Sequence, residues 1–168
     1  AEYFGKKVGT FGDMSIFSFQ GLKNMTTAGA GGALVVNNKK YRKLAYGLKH
    51  NGHRPFKNKK NYWLPAMVDV YEDVKGITPF HFPFTELQSI IGSEVLKRIQ
   101  NLNKKRINRA KKIISSLKFF KYLKFQKDKK NYKNVYHLLP ACIDSKMVKF
   151  NRDDFIKIMS NKYKIQVI

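Results

Sequence analysis

Two short apolar runs bracket a glycine-rich loop near the start of this chain, and that pattern constrains its fold more than anything else in it. Asp13-Met14-Ser15-Ile16-Phe17-Ser18-Phe19 is short and aromatic-rich, and Ala33-Leu34-Val35-Val36 is apolar and follows glycines. Both read as strands. Gly21, Gly29, Gly31 and Gly32 punctuate the stretch between them, where the backbone can approach a ligand closely. One lysine, Lys23, lies in that loop just after the first strand. Partial desolvation near a strand end favours the neutral amine, which attacks carbonyl groups. Ser18, five residues earlier, can offer a hydroxyl to an anion. A lysine beside phosphate-binding groups is the set that pyridoxal phosphate needs. In a chain with 28 lysines the same pattern also suits a surface lysine and plain turns.

Beyond this stretch the chain alternates element types. Residues 39–50 predict a helix, with Tyr41, Leu44, Ala45 and Leu48 at helical spacing. Residues 51–84 carry four prolines and no clear period, and read as a long irregular segment ordered by aromatics such as Phe56, Tyr62, Trp63 and Tyr71. Thr85 reads as an N-cap. Leu87, Ile91, Val95, Ile99, Leu102, Ala110, Ile113 and Leu117 mark one face of a long helix running to about Tyr122. A strand is expected around Val135–Ile143 and a helix from Asn151 to about Lys162. Asp153 and Asp154 favour the dipole of that helix, and Ile165–Ile168 reads as a last strand. The fold class is α/β. Three parts are expected: residues 1–84, a connecting helix over 85–122, and a smaller part over 123–168.

Composition narrows the function. The 168 residues carry 34 Lys and Arg against 11 Asp and Glu, a net charge of +23. Such a charge invites a nucleic-acid partner. Lys outnumbers Arg 28 to 6, however, and Asn and Ile occur 13 times each, the mark of an A- and T-rich coding bias. Arg is the residue of choice for bidentate and stacked contacts with nucleic acid, so the charge weighs little towards that partner. Between Lys97 and Lys133 the 15 basic residues and the single Asp128 read as a solvated face. The lone Cys142 excludes a disulfide framework within the chain and fits a reducing compartment. No apolar run is long enough to span a membrane. Four scattered histidines and one cysteine argue against a metal site. The chain opens without Met in mid-pattern, so it is expected to be a piece of a longer protein.

The segment Gly9 to Leu34 resembles the active-site signature of the DegT/DnrJ/StrS family of pyridoxal-phosphate-dependent sugar aminotransferases. That signature reads G-x-x-G-D-x-x-x-F-S-F-x-x-x-K-N-x-T-T followed by G-E-G-G. Gly9, Gly12, Asp13, Phe17, Ser18, Phe19, Lys23, Asn24, Thr26, Thr27, Gly29, Gly31 and Gly32 fill its positions. The similarity continues in Leu48-Lys49-His50-Asn51-Gly52, in Asn61-Tyr62-Trp63-Leu64-Pro65-Ala66-Met67, in Thr85-Glu86-Leu87-Gln88-Ser89-Ile90-Ile91-Gly92, in Arg106 and Ala110, and in Arg152-Asp153-Asp154-Phe155.

The resemblance implies a fragment of the type I pyridoxal-phosphate aminotransferase fold. It would comprise part of a large domain with a mixed, mostly parallel sheet and part of a small α/β domain, from an obligate homodimer. Lys23 would form the Schiff base with pyridoxal phosphate and then shuttle a proton. Ser18 would hydrogen-bond the cofactor phosphate, and His81 would reach the phosphate held by the partner subunit. The implied reaction transfers an amino group, from glutamate, to a nucleotide-linked keto-sugar in the cytoplasm, for amino sugars of surface polysaccharide such as lipopolysaccharide. Dehydratases of the same family carry His in place of the lysine, so Lys23 argues for the aminotransferase. Two departures stand out: Ala30 replaces the family Glu of G-E-G-G, and His81 and Pro83 replace an Asn and an Arg. The family's aspartate for the pyridine nitrogen precedes residue 1, so the isolated chain is expected to be inactive.

Overall fold

The computed structural model describes residues 1–55, 67–69 and 76–168. They form two compact units, one over Glu2–Gln100 and one over Asn101–Ile168 together with Ala1. The sequence places its boundaries at 84 and 122, whereas this division falls inside the long helix.

The first unit opens with β1 (Glu2–Tyr3) and β2 (Lys6–Lys7), an antiparallel pair. Phe4 and Gly5 turn the chain between them with φ of 46° and 74°. Two consecutive positive φ values are what a two-residue hairpin turn with the right strand twist requires. β3 (Met14–Ser18) and β4 (Gly32–Val36) pair antiparallel, from Met14 opposite Val36 to Ser18 opposite Gly32. Both apolar runs are thus strands, and they form one hairpin around the lysine loop. Gly9 is buried at φ 106°, and a Cβ there would strike the ring of Phe17.

The chain leaves β4 through a polar knot. Asn37 Nδ2 donates to the carbonyls of Gly9 (3.3 Å) and Gly12 (3.1 Å), and the backbone N–H groups of Asn37 and Asn38 donate to the Asp13 carbonyl. Asn38 Nδ2 donates to Asp13 Oδ1 at 2.9 Å, while its Oδ1 accepts from Lys40 N and caps α1 (Lys39–Lys49). The G-x-x-G-D part of the signature therefore anchors the hairpin to the helix.

Segment 80–82 closes the other end of α1. Phe80 N donates to the Leu48 carbonyl (2.7 Å), Phe82 N to the Lys49 carbonyl (2.9 Å), and Asn51 N to the Phe80 carbonyl (3.0 Å). The first two satisfy carbonyls that a helix leaves open at its C-terminus. Between them, β5 (His53–Pro55) pairs antiparallel with β6 (Met67–Asp69), so the segment read as irregular contains a strand pair. Phe56, Tyr62, Trp63 and Tyr71 lie outside the described residues, as does most of the Asn61–Met67 motif. The resemblance implies a mostly parallel sheet, whereas the pairs β1–β2, β3–β4 and β5–β6 are all antiparallel.

α2 (Glu86–Leu117) contributes to both units. It ends five residues before the expected Tyr122, because Phe120 N turns back to the Leu117 carbonyl and Leu123 N to the Phe120 carbonyl. Its periodic face is present, but only Ala110 on it is buried; Leu87 keeps 74% of its surface exposed.

The second unit continues with β7 (Leu123–Phe125), β8 (Tyr132–Lys133), β9 (Ala141–Ile143) and α3 (Arg152–Asn161). β7 and β9 pair antiparallel, and Lys124 meets Asp144 at 3.0 Å beside that pair. The expected strand over Val135–Ile143 shrinks to its last three residues. Tyr136 sits at φ 47°, outside strand geometry, and turns its ring into a buried position where its hydroxyl donates to Asp128 Oδ2 at 2.8 Å. Asn151 Oδ1 accepts from Asp154 N and caps α3. Lys164 at φ 56° takes the left-handed conformation that ends helices, and Ile165–Ile168 forms no strand.

Candidate active site: the lysine loop

The loop from Phe19 to Gly31 is pinched at its base. Phe19 N donates to the Gly31 carbonyl at 2.7 Å, and Thr27 N donates to the Phe19 carbonyl at 3.2 Å. Its first turn is built by Gln20. The Gln20 carbonyl accepts from Lys23 N at 2.9 Å, and the Gln20 side chain accepts from Leu22 N at 3.0 Å. These bonds fix the backbone at Lys23, whose side chain is half-buried. Ser18 is the last residue of β3 and is exposed. Its Oγ accepts from Gln20 N at 3.4 Å. Accepting uses a lone pair and leaves the hydroxyl proton for donation to an anion. Sequence-predicted Ser18 and Lys23 thus sit at the start of one loop, linked through Gln20.

The return of the loop needs unusual backbone. Ala28 holds φ 58° and Gly29 φ 151°. Thr26 Oγ1 accepts from Ala28 N at 3.3 Å and supports that turn. Thr27 is fully buried, and its Oγ1 has no hydrogen-bond partner among the described residues. Gly31 comes so near that a Cβ there would lie 2.8 Å from Thr27 Oγ1 and 2.8 Å from the Phe84 ring. A Cβ at Gly92 would lie 2.9 Å from Thr27 Cγ2. Both glycines serve close packing.

The start of α2 locks onto this loop. Thr85 caps the helix: Gln88 N donates to Thr85 Oγ1 (3.3 Å), and Thr85 N and Oγ1 donate to Gln88 Oε1 (3.3 and 3.0 Å). This is a reciprocal capping box. Gln88 Nε2 donates in turn to the Ala30 carbonyl at 2.6 Å. Ala30 contributes to that contact through its backbone, so the replacement of the family Glu leaves the contact intact. Sequence reasoning did not assign roles to Gln88, Thr27 or Gly92. The Thr85-x-x-Gln88 spacing was the available signal for the first.

His81 is exposed and stands at the C-terminal end of α1, in an antiparallel bridge with His50 and with ring centroids 5.6 Å apart. Three residues later Phe84 lies against the loop, its ring 6.5 Å from that of Phe19. The segment that carries His81 thus reaches the lysine loop through Phe84.

The arrangement offers one amine on a pinned loop, a hydroxyl donor at the adjoining strand end, and glycines that admit close approach. That set can condense with an aldehyde while holding an attached anion.

Known proteins share this layout. The chain is 29% identical over 162 residues to the uncharacterized protein MJ1066 of Methanocaldococcus jannaschii, covering 94% of this chain and 39% of that one. It is 33% identical over 99 residues to the GDP-perosamine synthase of Caulobacter vibrioides, covering 59% and 23%. The solved aminotransferase of Psychrobacter cryohalolentis superposes with a TM-score of 0.80 at 21% identity, over 95% of this chain and 42% of that one. This shows the fold to be that of the aminotransferases. Structural neighbours of the chain include an enzyme with bound pyridoxal phosphate. The chain spans less than half the length of each of these proteins. The profile of the DegT/DnrJ/EryC1/StrS aminotransferase family matches residues 1–167, and the chain belongs to that family.

Proposed function

We propose that the protein containing this chain is a pyridoxal-phosphate-dependent aminotransferase that passes an amino group from glutamate to a nucleotide-linked keto-sugar. The observation that carries this reading is the placement of Lys23, half-buried on a loop pinned by Phe19–Gly31 and Gln20–Lys23 bonds directly after Ser18. Similarity to a GDP-perosamine synthase supports the nucleotide-sugar class. The donor set fits pyridoxal phosphate: a Lys23 amine for the aldehyde, a Ser18 hydroxyl for the phosphate, and the uncrowded backbone at Gly29. When bound, the cofactor supplies an aldehyde that condenses with amines and a ring that takes up electrons from the neighbouring carbon. Lys23 Nζ holds the cofactor and, once released, carries a proton away from the α-carbon of the amino donor. Ser18 Oγ orients the phosphate by donating its proton. His81 serves the cofactor phosphate of a partner subunit in a homodimer. The product is an amino sugar for surface polysaccharide such as lipopolysaccharide, made in the cytoplasm. No helix among the described residues is long and apolar enough to cross a membrane.

Borohydride reduction of the full-length protein loaded with pyridoxal phosphate, followed by peptide mapping, tests the assignment. The expected result is a label on Lys23; a label elsewhere, or none, overturns it. The isolated 168-residue chain is expected to show no turnover.

A further inference from the structure

The backbone at Lys23 is held by the Gln20 turn, and the far side of its loop is held by α2. We infer that Gln88 is a positioning residue for the lysine loop, acting through the Ala30 carbonyl, and that this role is separable from its role in capping the helix. The inference rests on the proposed function only for what Lys23 does once it is positioned.

The two ends of the Gln88 amide do different work. Its oxygen accepts from Thr85 N and Thr85 Oγ1 and so completes the capping box. Its nitrogen donates to the Ala30 carbonyl, 58 residues away in sequence, at 2.6 Å. The cap alone needs only an acceptor at this position, and Glu satisfies that need as well as Gln does. Gln has in addition a donor, and the donor is spent on the loop. One turn further along, the missing side chain of Gly92 lets α2 approach Thr27. Thr27 N is bonded to the Phe19 carbonyl at the base of the loop. The helix therefore grips the returning strand of the loop at Ala30 and at Thr27, and the Gln20–Lys23 turn lies on the stretch between Phe19 and Thr27.

Gln88→Glu separates the two roles. The carboxylate still accepts from Thr85, and its charge suits the first turn of the helix. Towards Ala30 it presents an oxygen to an oxygen, so the clamp is lost. Thr85→Ala does the opposite: it removes the hydroxyl from the cap and leaves Nε2 on Ala30.

The experiment is hydrogen exchange of the amides of residues 19–31 in the full-length protein, without added cofactor. It is paired with a spectroscopic pH titration of the absorption band formed by Lys23 and pyridoxal phosphate. We expect Gln88→Glu to speed exchange across the loop on the order of tenfold, the effect of one lost hydrogen bond, and to shift the midpoint of the titration. Thr85→Ala is expected to leave both at the wild-type value. Equal loop exchange in Gln88→Glu and wild type, or equal effects of the two variants, overturns the inference. If Gln88→Glu does not fold, Gly92→Ala disturbs the second grip at Thr27, and unchanged loop exchange in that variant overturns it too. Because exchange is read without cofactor, a failed clamp is distinguishable from a wrong assignment of Lys23.

Discussion

Ser18 and Gly32 stand opposite each other at the end of the β3–β4 ladder, and a Cβ on Gly32 would lie 2.7 Å from the backbone oxygen of Phe17. The obstacle is backbone within a strand, so it cannot swing aside as a side-chain tip can. Gly32→Ala is therefore expected to destabilise the full-length protein by about 1–3 kcal/mol, the usual cost of overpacking. Urea denaturation checks it. Ser18→Ala removes only a hydroxyl at an exposed site. It should leave stability within about 0.5 kcal/mol and weaken pyridoxal phosphate binding roughly tenfold, read by fluorescence titration.

Lys23→Arg keeps the positive charge on the same loop but cannot supply a neutral amine near neutral pH. Turnover of the full-length enzyme is expected to fall by at least about a thousandfold, within the range of lost acid–base and nucleophilic catalysis. The borohydride label should disappear while the thermal midpoint stays the same. A retained label would place the nucleophile on another lysine.

Asn38 joins α1 to the hairpin through two bonds, one from each end of its amide. Asn38→Ala loses the cap to Lys40 N and the tie to Asp13 together. The expected cost is about 1–2 kcal/mol. Asn38→Asp keeps the cap but sets a carboxylate against Asp13 where the amide donated, so it should recover only part of that loss. Urea denaturation curves of the two variants beside wild type separate the two contributions.

Burial first, then its bond to Asp128 and the charge of that carboxylate, together push the Tyr136 hydroxyl up to about 12. The folded state thus prefers the protonated phenol more than the unfolded chain does. That stabilisation is fully present below pH 10 and is lost as pH rises from 10 through about 12. Tyr136→Phe should destabilise by about 1–2 kcal/mol at pH 7, and the difference from wild type should shrink across that alkaline window. Asp144 behaves in the opposite sense. Its hydrogen bond from Lys124 holds the carboxyl below its usual value, so its contribution is present at neutral pH and fades on acidification.

Local signals in the sequence located what local forces build. Glycines and aromatics at residues 9–36 showed two strands and the loop between them, and Thr85 showed the start of α2. Contacts that close over long sequence distances were not legible. Nothing near Gln88 says that its amide reaches Ala30, and nothing near Asn37 says that it holds the carbonyls of Gly9 and Gly12. Apolar spacing misled at residues 118–122, where Phe119, Phe120 and Tyr122 continue the helical pattern but the chain turns into β7. At Val135–Pro140 a left-handed tyrosine overrides a strand-like composition. Of the candidate site, the closeness of Lys23 and Ser18 was readable because they lie on adjoining local elements. The grip of α2 on Thr27 and Ala30 was not, because it is made by tertiary approach.

The bonds from Phe80 and Phe82 to the end of α1, and from Asn51 to Phe80, have an evolutionary side. They fasten both the exit and the re-entry of the chain to one helix terminus, so the path from residue 52 to residue 79 begins and ends at the same place whatever its length. Closing a longer path costs little, about 0.6 kcal/mol for each doubling. Insertions and deletions in that stretch would therefore leave its two anchor points at the end of α1 in place. Natural selection can vary the length of the excursion while the chain still leaves and rejoins the fold at one helix end.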